Sequence, residues 1–229
     1  MSSILKDLSA PALIAAIRAN QFEWWRTLGS SPKAEFCEGP EVTWLLTGLP
    51  TPSMNTVLLK QANPDHVDAI IESILVHFRS RGVTKVSWWT EPGAQPADLG
   101  ARLVGHDLTY RDGAPGMAVD LLVLNEDLPT PNGPTIEAVR DKEALRKWAD
   151  ASMSGFGLPE TVVEPGFDLF AGLGFDLPLR NYVGILNGEP VATSELLLGA
   201  GVAGIYAVAT IPDARRQGIG AAMTLPPPA

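Results

Sequence analysis

The sequence predicts an α/β protein built on a mixed, mostly antiparallel sheet. Three observations carry that class. Val67, Ile70, Ile71, Ile74, Leu75 and Phe78 recur at helical spacing behind Asn63-Pro64, a core-facing helical stripe. The apolar runs 182–186, 191–198 and 202–210 are separated only by Asn187-Gly188 and by Gly199-Ala200-Gly201, so they read as an antiparallel meander. Between these regions the stretch 125–134 holds Pro129, Pro131, Asn132-Gly133 and Pro134, a turn-rich linker between two patterned halves.

Taken in order, the first element is a helix over 8–28. Ser9 stands at its cap, Pro11 in its first turn, and Leu13, Ile14, Ile17, Trp24, Trp25 and Leu28 make a broad apolar face. Short strands are expected over 34–37, 42–47 and 54–60, punctuated by Gly39-Pro40 and Pro50-Thr51-Pro52. The striped helix follows, with Asn63 as cap and Gly82 as stop. A strand over 85–90 with Trp88 and Trp89, a short helix over 96–103 and a strand over 117–124 complete the first half. Beyond the linker come a strand (135–140), a helix (141–151, Leu145 and Trp148 inward), a weak helix within 152–173, the meander, and a helix from Gln217 to Thr224. Pro226, Pro227 and Pro228 forbid its continuation.

Composition limits what the chain does. Its 229 residues correspond to about 1.5 average domains, and 45% apolar with 19% charged residues is ordinary for a globular protein. The net charge of −9 argues against a nucleic-acid surface. The absence of any uncharged apolar run near ~18 residues argues against a membrane helix. The first residues lack the basic start and apolar stretch of a secretory signal, so a cytoplasmic location is expected. Cys37 is the single cysteine, which rules out an internal disulfide and multi-cysteine metal sites; a buried, inert thiol is expected there. His66, His77 and His106 are scattered without ligand spacing, so no metal site is expected.

The stretch that carries chemistry runs from Tyr206 to Met223. An apolar strand enters a turn at Pro212, and Arg215, Gly218 and Gly220 follow at spacings of three and two where a helix begins. Backbone N–H groups at such a start point outward with partial positive charge, which suits a pyrophosphate. Glycines without Cβ let an anion approach the main chain, and Arg215 and Arg216 offer charge-assisted donors. The run is not a Walker loop, since no Lys-Ser or Lys-Thr pair follows the second glycine. It lacks the third glycine of the dinucleotide fingerprint.

Arg215-Arg216-Gln217-Gly218-Ile219-Gly220 resembles the R/Q-x-x-G-x-G/A signature of the GNAT superfamily, the acetyl-CoA-dependent N-acetyltransferases. Val208-Ala209-Thr210-Ile211-Pro212 is similar to the strand and proline that lead into it, and the order of elements from Thr135 to Thr224 is the family's. The resemblance implies that the pantetheine arm of acetyl-CoA pairs with the backbone at Val208, Ala209 and Thr210. Its pyrophosphate would lie over the amides of Arg216, Gln217, Gly218, Ile219, Gly220 and Ala221, with Arg215 also among the cofactor-binding residues. It further implies transfer of an acetyl group to a primary amine of a small molecule or peptide, with a base deprotonating the amine. The first half parallels the same order but has Gln61-Ala62-Asn63-Pro64-Asp65-His66 at the matching junction, without arginine or glycine pair. Two GNAT-like halves are therefore expected: a degenerate one at 1–126, a linker at 127–134, and a second at 135–229, incomplete after the motif. The rival expectation is a non-catalytic acyl-CoA-binding remnant or interaction module; a generic phosphate-binding domain is a third.

Two residues stand as catalytic candidates. Glu195 shares a strand face with Val191, Thr193 and Leu197. A buried carboxylate there is a base with a raised pKa, whereas an exposed edge-strand position makes it a surface charge. Tyr206 lies upstream of the motif, where it either lines the acceptor site or packs in the core. Trp24-Trp25 and Trp88-Trp89 are read as packing residues.

Overall fold

A computed structural model describes residues 4–91, 93–111, 113, 115–124, 133–176 and 178–225. Most of the expected linker and the Pro226–Pro228 run lie outside the described residues. The chain forms two compact units, Leu28–Pro115 and a second made of Met1–Thr27 with Gly116–Ala229. The first helix thus groups with the C-terminal part of the chain rather than with the half that follows it in sequence. Each unit holds one four-stranded sheet. Among the described residues no helix is long and apolar enough to cross a membrane.

In the unit Leu28–Pro115, β1 (Glu35–Glu38), β2 (Val42–Leu46) and β3 (Asn55–Leu59) form an antiparallel meander. Helix α2 (Val67–Ser80) then returns the chain so that β4 (Ser87–Trp89) pairs with β3 in parallel. The stripe behaves as its spacing demands: Val67, Ile71, Ile74, Leu75 and Phe78 are all buried. The helix begins later than the cap signal implies. The Asn63 side chain accepts the Asp65 amide at 2.9 Å and closes a turn of its own, so the helix starts only at Val67. Helix α3 (Leu99–Gly105) closes the unit. Cys37 is half-buried on the edge strand β1, not buried as expected.

The strand expected over 117–124 does not form. Leu121–Val123 make a single 3-10 turn, and Met117 and Leu122 are exposed at 88% and 93%. Neither sheet takes this segment in. Without a neighbouring strand its N–H and C=O groups have no ladder partners, and β propensity alone does not hold it extended.

In the other unit, β5 (Thr135–Ala138), β6 (Leu179–Leu186), β7 (Glu189–Gly199) and β8 (Val202–Thr210) are antiparallel and lie in sequence order. The two hairpin turns follow the sequence: Asn187 and Gly188 sit at φ 53° and 86°, Ala200 and Gly201 at 53° and 76°. These left-handed pairs match the twist of the strands they join. Helix α4 (Lys142–Gly155) is capped by Asp141, whose Oδ1 accepts the Ala144 amide at 2.8 Å, and it buries Leu145 and Trp148. Helix α5 (Val163–Ala171) packs beside it, with Phe170 edge-on to Trp148. Helix α6 (Ile219–Thr224) sets Ile219 and Met223 into a core with Tyr182, Val191 and Ala192. Helix α1 (Ala10–Gly29) also meets this sheet, through Asn20 and Trp24.

Candidate functional site

Strand β8 is the end strand of its sheet, so one side of its backbone faces away from β7. The ladder slips within it. Thr193 lies opposite Ala209, but Glu195 lies opposite Tyr206, so β8 spends one residue more than β7 between these pairs. That is a β-bulge, and Ala207 absorbs it at φ 47°. A left-handed alanine is strained; here Thr193 Oγ1 holds it by donating to the Ala207 carbonyl at 3.0 Å.

The motif loop leaves β8 through the 3-10 turn Pro212–Ala214. Arg216 at φ 60° and Gly218 at φ 79° then turn the chain sharply into α6. Arg215, expected at the ligand, gives two of its five N–H groups to the protein. Its Nε donates to Thr210 O at 3.0 Å and its Nη2 to Gly155 O at 2.8 Å. The guanidinium thus ties the end of α4 to the end of β8 and fixes where the loop starts. Gly155 itself is forced by packing, since a Cβ there would lie 2.7 Å from Ala209 Cβ. Among the described residues nothing forces a glycine at 220. It carries no left-handed φ, and the nearest atom to a Cβ there, Thr210 Oγ1, is 3.8 Å away. The bare backbone at Gly220 therefore opens onto space outside the protein's own packing. Arg216 and Gln217 are exposed alongside. Helix α6 spans six residues, fewer than two turns, so aligned peptide dipoles contribute less than the sequence reading supposed and the loop amides matter more.

Glu195 is buried, 1% exposed, on the interior strand β7; the alternative of an exposed edge position is overturned. Trp24 Nε1 donates to its Oε2 at 2.7 Å. Burial pushes the carboxyl up to about 7, and the Trp24 bond partly opposes this. Tyr206 faces Glu195 across the β7–β8 ladder, and its ring stacks on Trp24 with centroids 5.1 Å apart at 11°. Its hydroxyl donates to Asn20 Oδ1 at 2.7 Å, while Asn20 Nδ2 donates to Gly199 O at 2.9 Å. Burial, with the nearby Glu195 charge, raises the phenol's pKa, so it stays neutral. Opposite Glu195 on the other side stands Asn181 of β6, whose buried Oδ1 has no hydrogen-bond partner among the described residues.

Sequence reading placed Glu195 and Tyr206 apart from helix α1; the fold joins them to it. Asn20 and Trp24 were missed as polar partners. A signal existed: they are four residues apart, on one helix face, with a polar residue set among apolar ones. Asn181 carried no signal before the strand register was known.

No family model and no curated protein sequence matches the chain. Solved structures do. A GCN5-related N-acetyltransferase from Kribbella flavida superposes with a TM-score of 0.58 at 22% identity, over 90% of this chain and 77% of that one. A functionally unknown conserved protein from Staphylococcus epidermidis ATCC 12228 superposes with a TM-score of 0.52 at 10% identity, over 81% of this chain and 75% of that one. The mixed α/β architecture, the antiparallel sheets and these likenesses together give the chain the GNAT fold.

Proposed function

We propose that the chain is an N-acetyltransferase that moves an acetyl group from acetyl-CoA to a primary amine of a small molecule or peptide. The observation that carries this reading is the open backbone at Gly220, in the first turn of α6, which the motif loop reaches from the bulged edge of β8. A glycine that no described neighbour requires, in the first turn of α6 just after the left-handed residues Arg216 and Gly218, fits a main chain kept bare for an anion.

The residues present fit a CoA ester. The amides from Arg216 to Ala221 would hold the pyrophosphate, with Arg216 adding charge. The backbone of Val208, Ala209 and Thr210 would pair with the pantetheine amides along the edge strand. Acetyl-CoA supplies an activated thioester carbonyl. Arg215 orients the loop through the Gly155 and Thr210 carbonyls. Glu195 is the base that takes a proton from the amine, a role for which a carboxyl titrating near neutrality is suited. Tyr206, held neutral by its surroundings, lines the same wall. In this reading the unit Leu28–Pro115, whose β3–α2–β4 junction has no glycine pair at 61–66, packs without binding cofactor.

One observation favours a second reading, an acyl-CoA-binding module without turnover. Glu195 is only 1% exposed, so an amine reaches it only if surrounding side chains move. The test uses two measurements on the full chain. CoA should raise the melting temperature, since a ligand of the native state stabilises it by mass action. Acetyl-CoA with a panel of primary amines should then release free thiol. No thermal shift at millimolar CoA rejects both readings; a shift without thiol release leaves the module.

A further inference from the structure

We infer that helix α1 completes the base, with Trp24 as a positioning residue for Glu195 and Asn181 Oδ1 as the acceptor for the proton that Glu195 carries. Helix α1 lies outside the segment that bears the acetyltransferase signature, yet among the described residues it holds the one side-chain donor to this carboxylate. The purpose of the device rests on the transfer reading; its geometry does not.

A buried carboxyl that gains and loses a proton needs two kinds of neighbour. Ionised, it needs a donor; neutral, it needs an acceptor for its own O–H. Trp24 Nε1 is a donor only, at 2.7 Å from Oε2. Asn181 stands directly across the β6–β7 ladder from Glu195, so the two side chains share a face, with Cβ atoms about 5 Å apart in such pairs. Its Oδ1 is buried and unpartnered, which otherwise costs stability for nothing. A protonated Glu195 satisfies it. The step balances: one amine N–H proton passes to the carboxylate, the bonding pair stays on nitrogen, and the new carboxyl O–H donates to Asn181 Oδ1.

The remaining neighbours do not compete for the charge. From β8 the facing titratable group is Tyr206, whose O–H is already given to Asn20. The buried side chains of α4, among them Leu145, Trp148, Ala149 and Met153, carry no charge. Helix α1 presents Asn20 and Trp24.

The test is a titration of the unliganded, full-length protein by NMR. Carbon-13 carboxyl shifts report the glutamates, and the indole N–H resonance lost in Trp24→Phe reports Trp24. In the parent protein the indole N–H and the Glu195 carboxyl should titrate together near 7, and Glu195→Gln should abolish both. Trp24→Phe keeps the stack on Tyr206 but removes the donor, so the Glu195 proton affinity should rise about tenfold, the worth of an ordinary charge-assisted bond. Asn181→Leu removes the acceptor and should lower it. Opposite signs are the signature, because general loosening of the site moves both variants the same way. Shifts of one sign, or none, overturn the inference. If either variant does not fold, an indole N–H in the parent protein that ignores pH between 5 and 9, or that titrates unchanged in Glu195→Gln, overturns it equally. CoA titration calorimetry on the same samples separates the two claims. Opposed shifts without CoA binding would sink the transfer reading alone; CoA binding with unmoved titrations would sink this one alone.

Discussion

The indole N–H of Trp24 points at the carboxylate of Glu195, 171 residues further along the chain, at 2.7 Å. A single hydrogen bond does not offset the loss of water around a fully buried carboxylate. The group therefore stays near its neutral form at pH values where an exposed glutamate is ionised, and its proton is coupled to folding.

The sign of that coupling is fixed. A carboxyl whose folded pKa is about 7, against 4.5 unfolded, holds a proton in the native state that the unfolded chain has released. Its favourable contribution is complete below about 4.5 and is lost as the pH rises through about 7. Glu195→Gln should therefore be nearly neutral for stability at pH 5 and stabilising at pH 8, by roughly 3 kcal/mol at most on the usual 1.36 kcal/mol per pKa unit. Urea unfolding of both proteins across that range checks it; parallel curves would show that Glu195 is not held neutral.

Gly220→Val should leave the fold nearly intact. A Cβ there meets only Thr210 Oγ1 at 3.8 Å, and valine costs a helix up to ~0.7 kcal/mol relative to alanine. CoA affinity should fall at least about tenfold, because the side chain fills the approach to the main chain. Calorimetric titration decides it, and parent-like binding would remove the main support for the pyrophosphate cradle.

Arg215→Ala tests a different role. It deletes two donors to the carbonyls of Gly155 and Thr210, both at an exposed site where water replaces them. Stability should drop by only about 1 kcal/mol. CoA binding should weaken less than in Gly220→Val, since the loop loses its anchor but keeps its amides. A larger binding loss in Arg215→Ala than in Gly220→Val would mean that the guanidinium meets the ligand after all.

Gly204→Ala probes the seat of helix α1. A Cβ at this position would fall on Asn20 Oδ1 and lie 2.7 Å from Tyr206 Cε2, both held in place by the Tyr206–Asn20 bond. The variant should lose about 1–3 kcal/mol, as overpacked sites do. Gly199→Ala is the control on the same hairpin. Its nearest atoms, on Asn20 and Glu23, lie at an ordinary 3.5 Å, and it should cost well under that range. Thermal melts compare the two; equal losses would show that α1 yields to a new side chain.

Local patterns in the sequence settled most of the secondary structure. The stripe from Val67 to Phe78, the Asn187-Gly188 turn and the run of strands up to Thr210 are each decided within a few residues, by helical spacing, left-handed turn residues and apolar runs. The turn at Gly218 into α6 was legible for the same reason, since it is set by contiguous backbone. Tertiary structure decided what depends on pairing over distance. The segment 117–124 has the composition of a strand but no neighbour to complete its ladder. Arg215 has the look of a ligand contact, and only folding brings close the two carbonyls that take two of its five N–H donors. Above all, the burial of Glu195 needed β7 to lie between β6 and β8 and Trp24 to arrive from the first helix. Desolvation, the force that moves this carboxyl's proton affinity, is a property of everything packed around the group, and no stretch of sequence near Glu195 contains it.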